Sequence, residues 1–378
     1  MKIRDKNIVN KKKDLKFLYV FKKFPIYQNC TTKDIKKDKF FDMSWFISKS
    51  TGVVQLKKLI PLKILYKDQH ANSIGSTWKK HHISFADFIK PYLSNNVYEV
   101  GGSHGFLPNI LINKKKKFTW SIIEPNPKIK NTNRNKNKNV KFLKSFFSSK
   151  TKLPKNLKLI VHSHVLEHIY DPIKFLKNIN NQMNDKTVHC FSVPNLKYWL
   201  ENCFSNTLDF EHSIYLTENI IERLLHLSNH RIILKKFYKK HSIFYATKKN
   251  LNRSSKSFPN DYDKNLKVFN NYVIYYKNFV KRINNKIKNH KGPIYFFGAH
   301  IFTQYLINFG INYKKINFIL DNDPTKHNKR LYGTNMTVIS PEKLKNIKGA
   351  AVILKIGSYQ SEVVKQLKLI NKKINIWK

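Results

Sequence analysis

Cysteine is scarce in this 378-residue chain: only Cys30, Cys190 and Cys203, with no C-x-x-C pair. A disulfide framework is therefore excluded and a zinc site has no support, so no metal is expected. No apolar run is long enough for a membrane span. The N-terminus carries charge but lacks the apolar segment of a signal peptide, which makes cytoplasmic the default expectation. Acidic residues are few, 23 Asp and Glu against 72 Lys and Arg, a formal net charge of +49. Such a charge favours an anionic partner, nucleic acid or an anionic membrane surface among them. Lys, Asn and Ile are abundant throughout, however, as in an A/T-rich coding sequence, so the charge also reads as compositional drift. The hydrophobic content of 41% and aromatic content of 13% exclude a disordered chain. The length suits two or three domains.

What is present centres on Val97-Tyr98-Glu99-Val100-Gly101-Gly102-Ser103-His104-Gly105-Phe106. Val97 and Val100 belong on a buried strand, Gly101 and Gly102 permit a sharp turn, and Gly105 lets a helix start close to the strand. Such a unit sets amide N–H groups against a ligand at the carboxyl end of a parallel sheet. The sequence E-V-G-G-S-H-G resembles the acid-x-G-x-G-x-G motif of class I S-adenosylmethionine (SAM) methyltransferases, with Ser103 at the middle glycine. Phe118 to Glu124 reads as a second strand ending in a carboxylate, which suits the donor hydroxyls of a ribose.

Upstream, Phe17 to Phe21 reads as a short strand and Gly52 to Leu56 as a turn into another. Ser76 to Ile89 has helical spacing and a Ser/Thr start; His81 and His82 on it are either solvated or functional. Lys128 to Lys141 reads as loop and exposed helix. Leu157 to Ser163 is a buried strand, Ile173 to about Met183 a helix, and Thr187 to Asn195 a further strand. Strands alternating with helices at this spacing predict an α/β, doubly wound, Rossmann-like sheet. Pro293 to His300, Lys315 to Pro324 and Ala351 to Leu354 predict a second Rossmann-like unit. Boundaries fall at 1–75 for a small N-terminal lobe, 76–250 for the central unit and 251–378 for the C-terminal α/β unit.

Ser163-His164-Val165-Leu166-Glu167-His168-Ile169 followed by Asp171-Pro172 resembles the segment after strand four of small-molecule SAM methyltransferases. The Asp/Asn-Pro-Pro-aromatic motif of nucleic-acid amino-methylases is absent. The segment Asn206 to Thr217, which contains Asp209-Phe210-Glu211-His212, resembles the F-E-H segment of the sugar C-methyltransferases, three-part enzymes that methylate a carbon of a nucleotide-bound keto sugar. The resemblance covers roughly residues 40–378. One departure is plain: the frame Met43 to Leu56 lacks the cysteine pairs that hold a structural zinc in family members.

The resemblance implies SAM as methyl donor, with Glu99, Gly101, Gly102, Ser103 and Gly105 at its methionyl end, Glu124 on the ribose and His164 near donor and adenine. It implies His212 as the base, oriented by Glu211, with His82 and His168 as further contacts to sugar or enolate and Tyr66 a weaker one. A His in a cleft titrates in the range a base needs; the bland alternative is that His212 packs a loop. Asp209 stands where family members can have Tyr, which removes any phenol role there. Gly298, His300, Asp321, Lys326 and Tyr332 form the expected nucleotide-sugar surface, Lys326 as a point charge for a diphosphate; the alternative is packing scaffold. The expected product feeds a surface polysaccharide or a secondary metabolite. Two other readings stay open: an O- or N-methyltransferase on another small molecule, and a non-catalytic nucleic-acid-binding protein, against which the F-E-H segment counts. An NAD dehydrogenase lacks its full G-x-G-x-x-G. Oligomeric state is not legible.

Overall fold

The computed structural model describes residues 2–66, 76–111, 119–127, 139–154, 156–251 and 255–378. Most of the basic stretch from Lys128 and the first residue of the Phe118 strand lie outside them.

The N-terminal lobe is a three-stranded antiparallel sheet of β1 (Leu15–Pro25), β2 (Phe40–Ser48) and β3 (Val54–Leu56). Two pairs of polar residues, each separated by two positions, meet at its edge. Asn7 Nδ2 donates to Asn10 Oδ1 at 2.8 Å, Ser48 Oγ at 2.7 Å and Thr51 Oγ1 at 3.1 Å. Asp14 closes the knot by accepting from Ser48 Oγ and Ser50 N, both at 2.8 Å. Paired ligands at this spacing typify structural zinc sites, but amides and hydroxyls are not the thiolate and imidazole set such a site uses. The residues here do not fit a zinc ion.

The central sheet has seven strands: β4 (Asn96–Val100), β5 (Thr119–Ile123), β6 (Val140–Leu143), β7 (Leu159–Ser163), β8 (Val188–Pro194), β9 (His230–Tyr238) and β10 (Ser242–Lys249). Their order is β9-β10-β8-β7-β4-β5-β6. The strands β4 to β8 run parallel; β10 is antiparallel to both its neighbours. Order reverses beside β4, so a crevice opens at the carboxyl ends of β4 and β7, where ligands of doubly wound sheets sit. Burial on both faces explains why Leu159 to His162 is fully buried without alternation. Helix α1 (Ser76–Ile89) leads into β4. Helix α2 (Phe106–Leu111) follows the glycine turn. Helix α3 (Pro172–Gln182) starts with Pro172 in its first turn and Asp171 Oδ1 accepting from Lys174 N at 3.2 Å.

A 28-residue helix α4 (Tyr262–Asn289) leads to the C-terminal sheet. Its buried residues Phe269, Tyr272, Tyr276, Phe279, Val280, Ile283 and Ile287 recur every three or four positions, one apolar stripe. The C-terminal sheet is wholly parallel: β11 (Ile294–Phe297), β12 (Phe318–Leu320), β13 (Val338–Ile339), β14 (Ala351–Ile353) and β15 (Asn375–Trp377), in the order β13-β12-β11-β14-β15. Aromatic rings from the N-terminal lobe and the C-terminal part interlock: Phe21 lies 5.1 Å from Tyr305, and Tyr305 lies 5.8 Å from Tyr276. That shared core fixes the lobe beside the crevice.

Candidate active site

The glycine turn is built by close approach. A side chain at Gly101, whose φ is +73°, would meet Val165 Cγ2 at 2.5 Å, and one at Gly102 would meet the Glu99 carboxyl carbon at 2.7 Å. Both positions therefore require glycine. Ser103 also takes a positive φ of 45°. Its amide donates to Glu124 Oε2 at 3.2 Å, while Asn126 N donates to Oε1 at 3.0 Å, so the carboxylate at the end of β5 is held over the turn. Glu99 is buried and accepts from Trp120 Nε1 at 2.8 Å. Burial pushes its carboxyl up to about 7, against the Trp120 hydrogen bond.

The second half of the site is a cluster of acids and imidazoles. Asp209 Oδ1 accepts from the backbone amides of Glu211 (2.7 Å) and His212 (2.6 Å), which curls the chain so that both side chains face the crevice. His212 Nδ1 lies 3.1 Å from the Asn206 carbonyl and 3.6 Å from Asp209 Oδ2. A carbonyl only accepts, so Nδ1 carries the hydrogen and Nε2 keeps its lone pair. Burial lowers the His212 pKa, but Asp209, Glu167 and Glu211 outweigh it and the net shift is upward. His168 sits 3.8 Å from Glu211, 4.0 Å from Glu167, and ring to ring 5.0 Å from His212. Glu167, His168 and His212 bring one ligand-type atom each within 4.8 Å of one another, a set that a cation could share.

The N-terminal lobe holds this segment in place. Leu56 N donates to Ser213 O and Tyr215 N to Val54 O, both at 2.9 Å, so the chain just after His212 joins the edge of β3. The buried Arg4 guanidinium ties it further, donating to Ser213 O at 3.1 Å and Tyr170 O at 2.9 Å.

One cavity of about 2070 Å³ connects the parts. Every site residue expected from the sequence lines it except Gly105, whose φ of +71° and packing on Ile122 and Phe142 make it part of the turn's support. Tyr66 lines it too, with its ring 6.4 Å from His168. His82 stacks on Phe106 at 5.1 Å. His81, read as solvated in one alternative, is fully buried. On the C-terminal side, Gly298 and His300 follow β11 and Asp321 follows β12. Lys326 Nζ is already held by Asp321 Oδ2 at 3.0 Å, and that oxygen also accepts from Ala299 N at 2.8 Å. Its charge is thus partnered rather than waiting for a diphosphate. Tyr332 is buried and its hydroxyl accepts from Lys39 N at 2.5 Å, a structural bond to the N-terminal lobe. Two residues are placed in the site that the sequence reading gave no role there: Asp209, which curls the loop, and Glu167, which sits between two imidazoles. The signal was present in duplicate, since Glu167-His168 and Glu211-His212 are the same dipeptide.

The parallel order with its antiparallel last strand, the glycine turn and the acid on β5 define a class I SAM-dependent methyltransferase. Residues 79–235 match the family described as "Methyltransferase domain", and residues 246–377 match "C-methyltransferase C-terminal domain". Together the two matches support a SAM-dependent C-methyltransferase family. No curated protein sequence matches it. Among solved structures, mitomycin 7-O-methyltransferase is similar at 14% identity and TM-score 0.36, over 45% of this chain and 54% of that one. A SAM-dependent methyltransferase from Clostridium acetobutylicum is similar at 14% identity and TM-score 0.36, over 47% of this chain and 93% of that one. Human N-acetylserotonin methyltransferase in complex with SAM is similar at 14% identity and TM-score 0.37, over 46% of this chain and 53% of that one. The chain thus spans about half the length of the first and third of these proteins.

Proposed function

We propose that the protein methylates a carbon of a nucleotide-linked keto sugar. The observation that carries this is the single cavity that joins the glycine turn and Glu124, the His212 cluster, and the turn after β11. A donor, an acceptor carbon and a nucleotide need three such regions in contact. SAM supplies an electrophilic methyl group whose C–S bonding pair returns to sulfur on transfer. The chain's own work is binding and proton handling. Glu99 and the Gly101–Ser103 turn face the methionyl end, and Glu124 accepts from the ribose hydroxyls. His212 Nε2 removes the proton next to the ketone, and the pair of electrons left behind attacks the methyl. Asp209 stabilises the imidazolium so formed. His168 donates to the developing enolate oxygen, with Glu211 and Glu167 offsetting its charge. The Arg4 clamp and the β3 edge keep the base fixed during transfer.

The test begins with calorimetric binding of SAM and S-adenosylhomocysteine. Micromolar binding that Glu124→Ala abolishes establishes the donor site; no binding by folded protein refutes the reading. Keto-sugar nucleotides are then screened for turnover, with His212→Ala expected to lose about 10²–10⁴-fold. NMR of the product separates a new C–CH₃ from a methyl on oxygen or nitrogen. The latter would move the assignment to an O- or N-methyltransferase.

A further inference from the structure

Three histidines outside the acceptor cluster meet from three different elements. His81 comes from α1, His164 from the turn after β7, and His241 from the hairpin between β9 and β10. One ring nitrogen of each lies within 4.8 Å of one from each of the others. Their ring centroids are 5.0 Å (His81–His164), 5.4 Å (His81–His241) and 5.8 Å (His164–His241) apart.

As a purely organic arrangement the trio is incomplete. His81 is fully buried, and among the described residues neither of its ring nitrogens has a hydrogen-bond partner. The buried Nε2 of His241 has none either. A neutral imidazole carries one donor and one acceptor, and each buried polar group left unsatisfied costs about 1–3 kcal/mol. The other two rings are meanwhile aligned by neighbours. Ser242 Oγ lies 3.0 Å from His164 Nε2 and 2.7 Å from His241 Nδ1, and Glu167 Oε1 lies 3.4 Å from His164 Nδ1. A hydroxyl hydrogen-bonded to one ring nitrogen orients an imidazole whose other nitrogen can bind a metal, and Glu167 adds a carboxylate beside His164 without a hydrogen bond to it.

We propose that His81, His164 and His241 form a binding site for a divalent transition metal, zinc foremost, with three nitrogen ligands and a fourth position open to water. An all-imidazole set selects zinc, nickel, cobalt or copper(II) over magnesium or calcium. Zinc–nitrogen bonds of about 2.0–2.1 Å would set the nitrogens about 3.3–3.4 Å apart, within reach of modest ring rotation from the present spread. His164 and Trp78 both line the large cavity, which gives the ion a route in. The site adjoins the proposed donor and acceptor regions through His164 and Glu167 but shares no ligand with the Glu167–His168–His212 cluster.

The experiment titrates chelator-treated, full-length protein with zinc against a chromophoric competitor, and with cobalt(II) followed by its visible absorption. The expected result is one equivalent bound with a dissociation constant of about 1 μM or below, and the intense cobalt bands of a four-coordinate site. His81→Gln and His241→Gln should each weaken binding about 100-fold, while His290→Gln, in the C-terminal unit and away from the three rings, leaves it unchanged. Near-UV circular dichroism checks that each variant folds. Should a variant fail to fold, zinc anomalous scattering from crystals of the unaltered protein decides. A peak among the three rings supports the site, and a buried water only overturns it. No saturable binding also overturns it, as does binding that survives both substitutions or that is lost only in His168→Gln.

Discussion

If Asp209 raises the basicity of His212, removing its charge should move the acid limb of the pH–rate profile downward. His212 Nδ1 is 3.6 Å from Asp209 Oδ2. At an effective dielectric of about 20 the attraction at that distance is about 4–5 kcal/mol, or about three pH units. The backbone amides of Glu211 and His212 already offset part of the Asp209 charge, so a downward move smaller than that ceiling is the expected change for Asp209→Asn. Asparagine keeps an oxygen for the two backbone amides of Glu211 and His212, so the loop stays curled. The base works only when unprotonated. The profile of kcat/KM for the acceptor therefore falls as pH drops through a pKa above 6.5 in the unaltered enzyme, and at lower pH in the variant. Stability carries the matching sign. The raised His212 pKa stabilises the fold below about pH 6.5 and that contribution is lost as pH rises through the folded value. Asp209→Asn should then destabilise more at pH 6 than at pH 9 by urea unfolding. An acid limb that stays in place or moves upward in a folded variant would refute this account.

Glu99 gives a prediction of opposite consequence. Its carboxyl is raised to about 7 by burial, so the folded state binds a proton that the unfolded chain releases near pH 4.5. Between those values the unliganded protein loses about 3 kcal/mol relative to Glu99→Gln, measured as a difference of urea midpoints. A cationic methionyl end drawn to Glu99 should expel that proton, so the binding heat near pH 6.5 should depend on buffer ionisation enthalpy, and not in the variant. Asn7→Ala breaks the polar knot of the N-terminal lobe and should lower stability by about 1–3 kcal/mol in chemical unfolding.

Local features of the sequence announced the central sheet. Val97 to Phe106 carried strand, turn and helix start within ten residues, and the Ser76–Ile89 pattern marked its helix to the residue. The glycines were readable because backbone geometry is a local demand. What stayed hidden is contact between distant residues. Nothing near His81 signals that His164 and His241 will meet it, and its place on a helix left the solvated and functional readings both open. Asp209 was weighed for the phenol it replaced, yet its work is local backbone capping that only the folded loop reveals. Lys326 suggested a free charge because its partner, Asp321, becomes a partner only when β12 turns back on itself. Charge composition is silent for the same reason, since it says how many lysines there are and not where they lie.

The knot of Asn7, Asn10, Ser48 and Thr51 has a bearing on where this protein can work. A cysteine-held lobe answers to oxidants, which attack thiolates, and to the supply of a trace element. Amides and hydroxyls answer to neither. Because the lobe's β3 edge and Arg4 steady the chain beside His212, the geometry of the base inherits that indifference. Peroxide or a strong chelator that would dismantle a thiolate knuckle leaves this support standing.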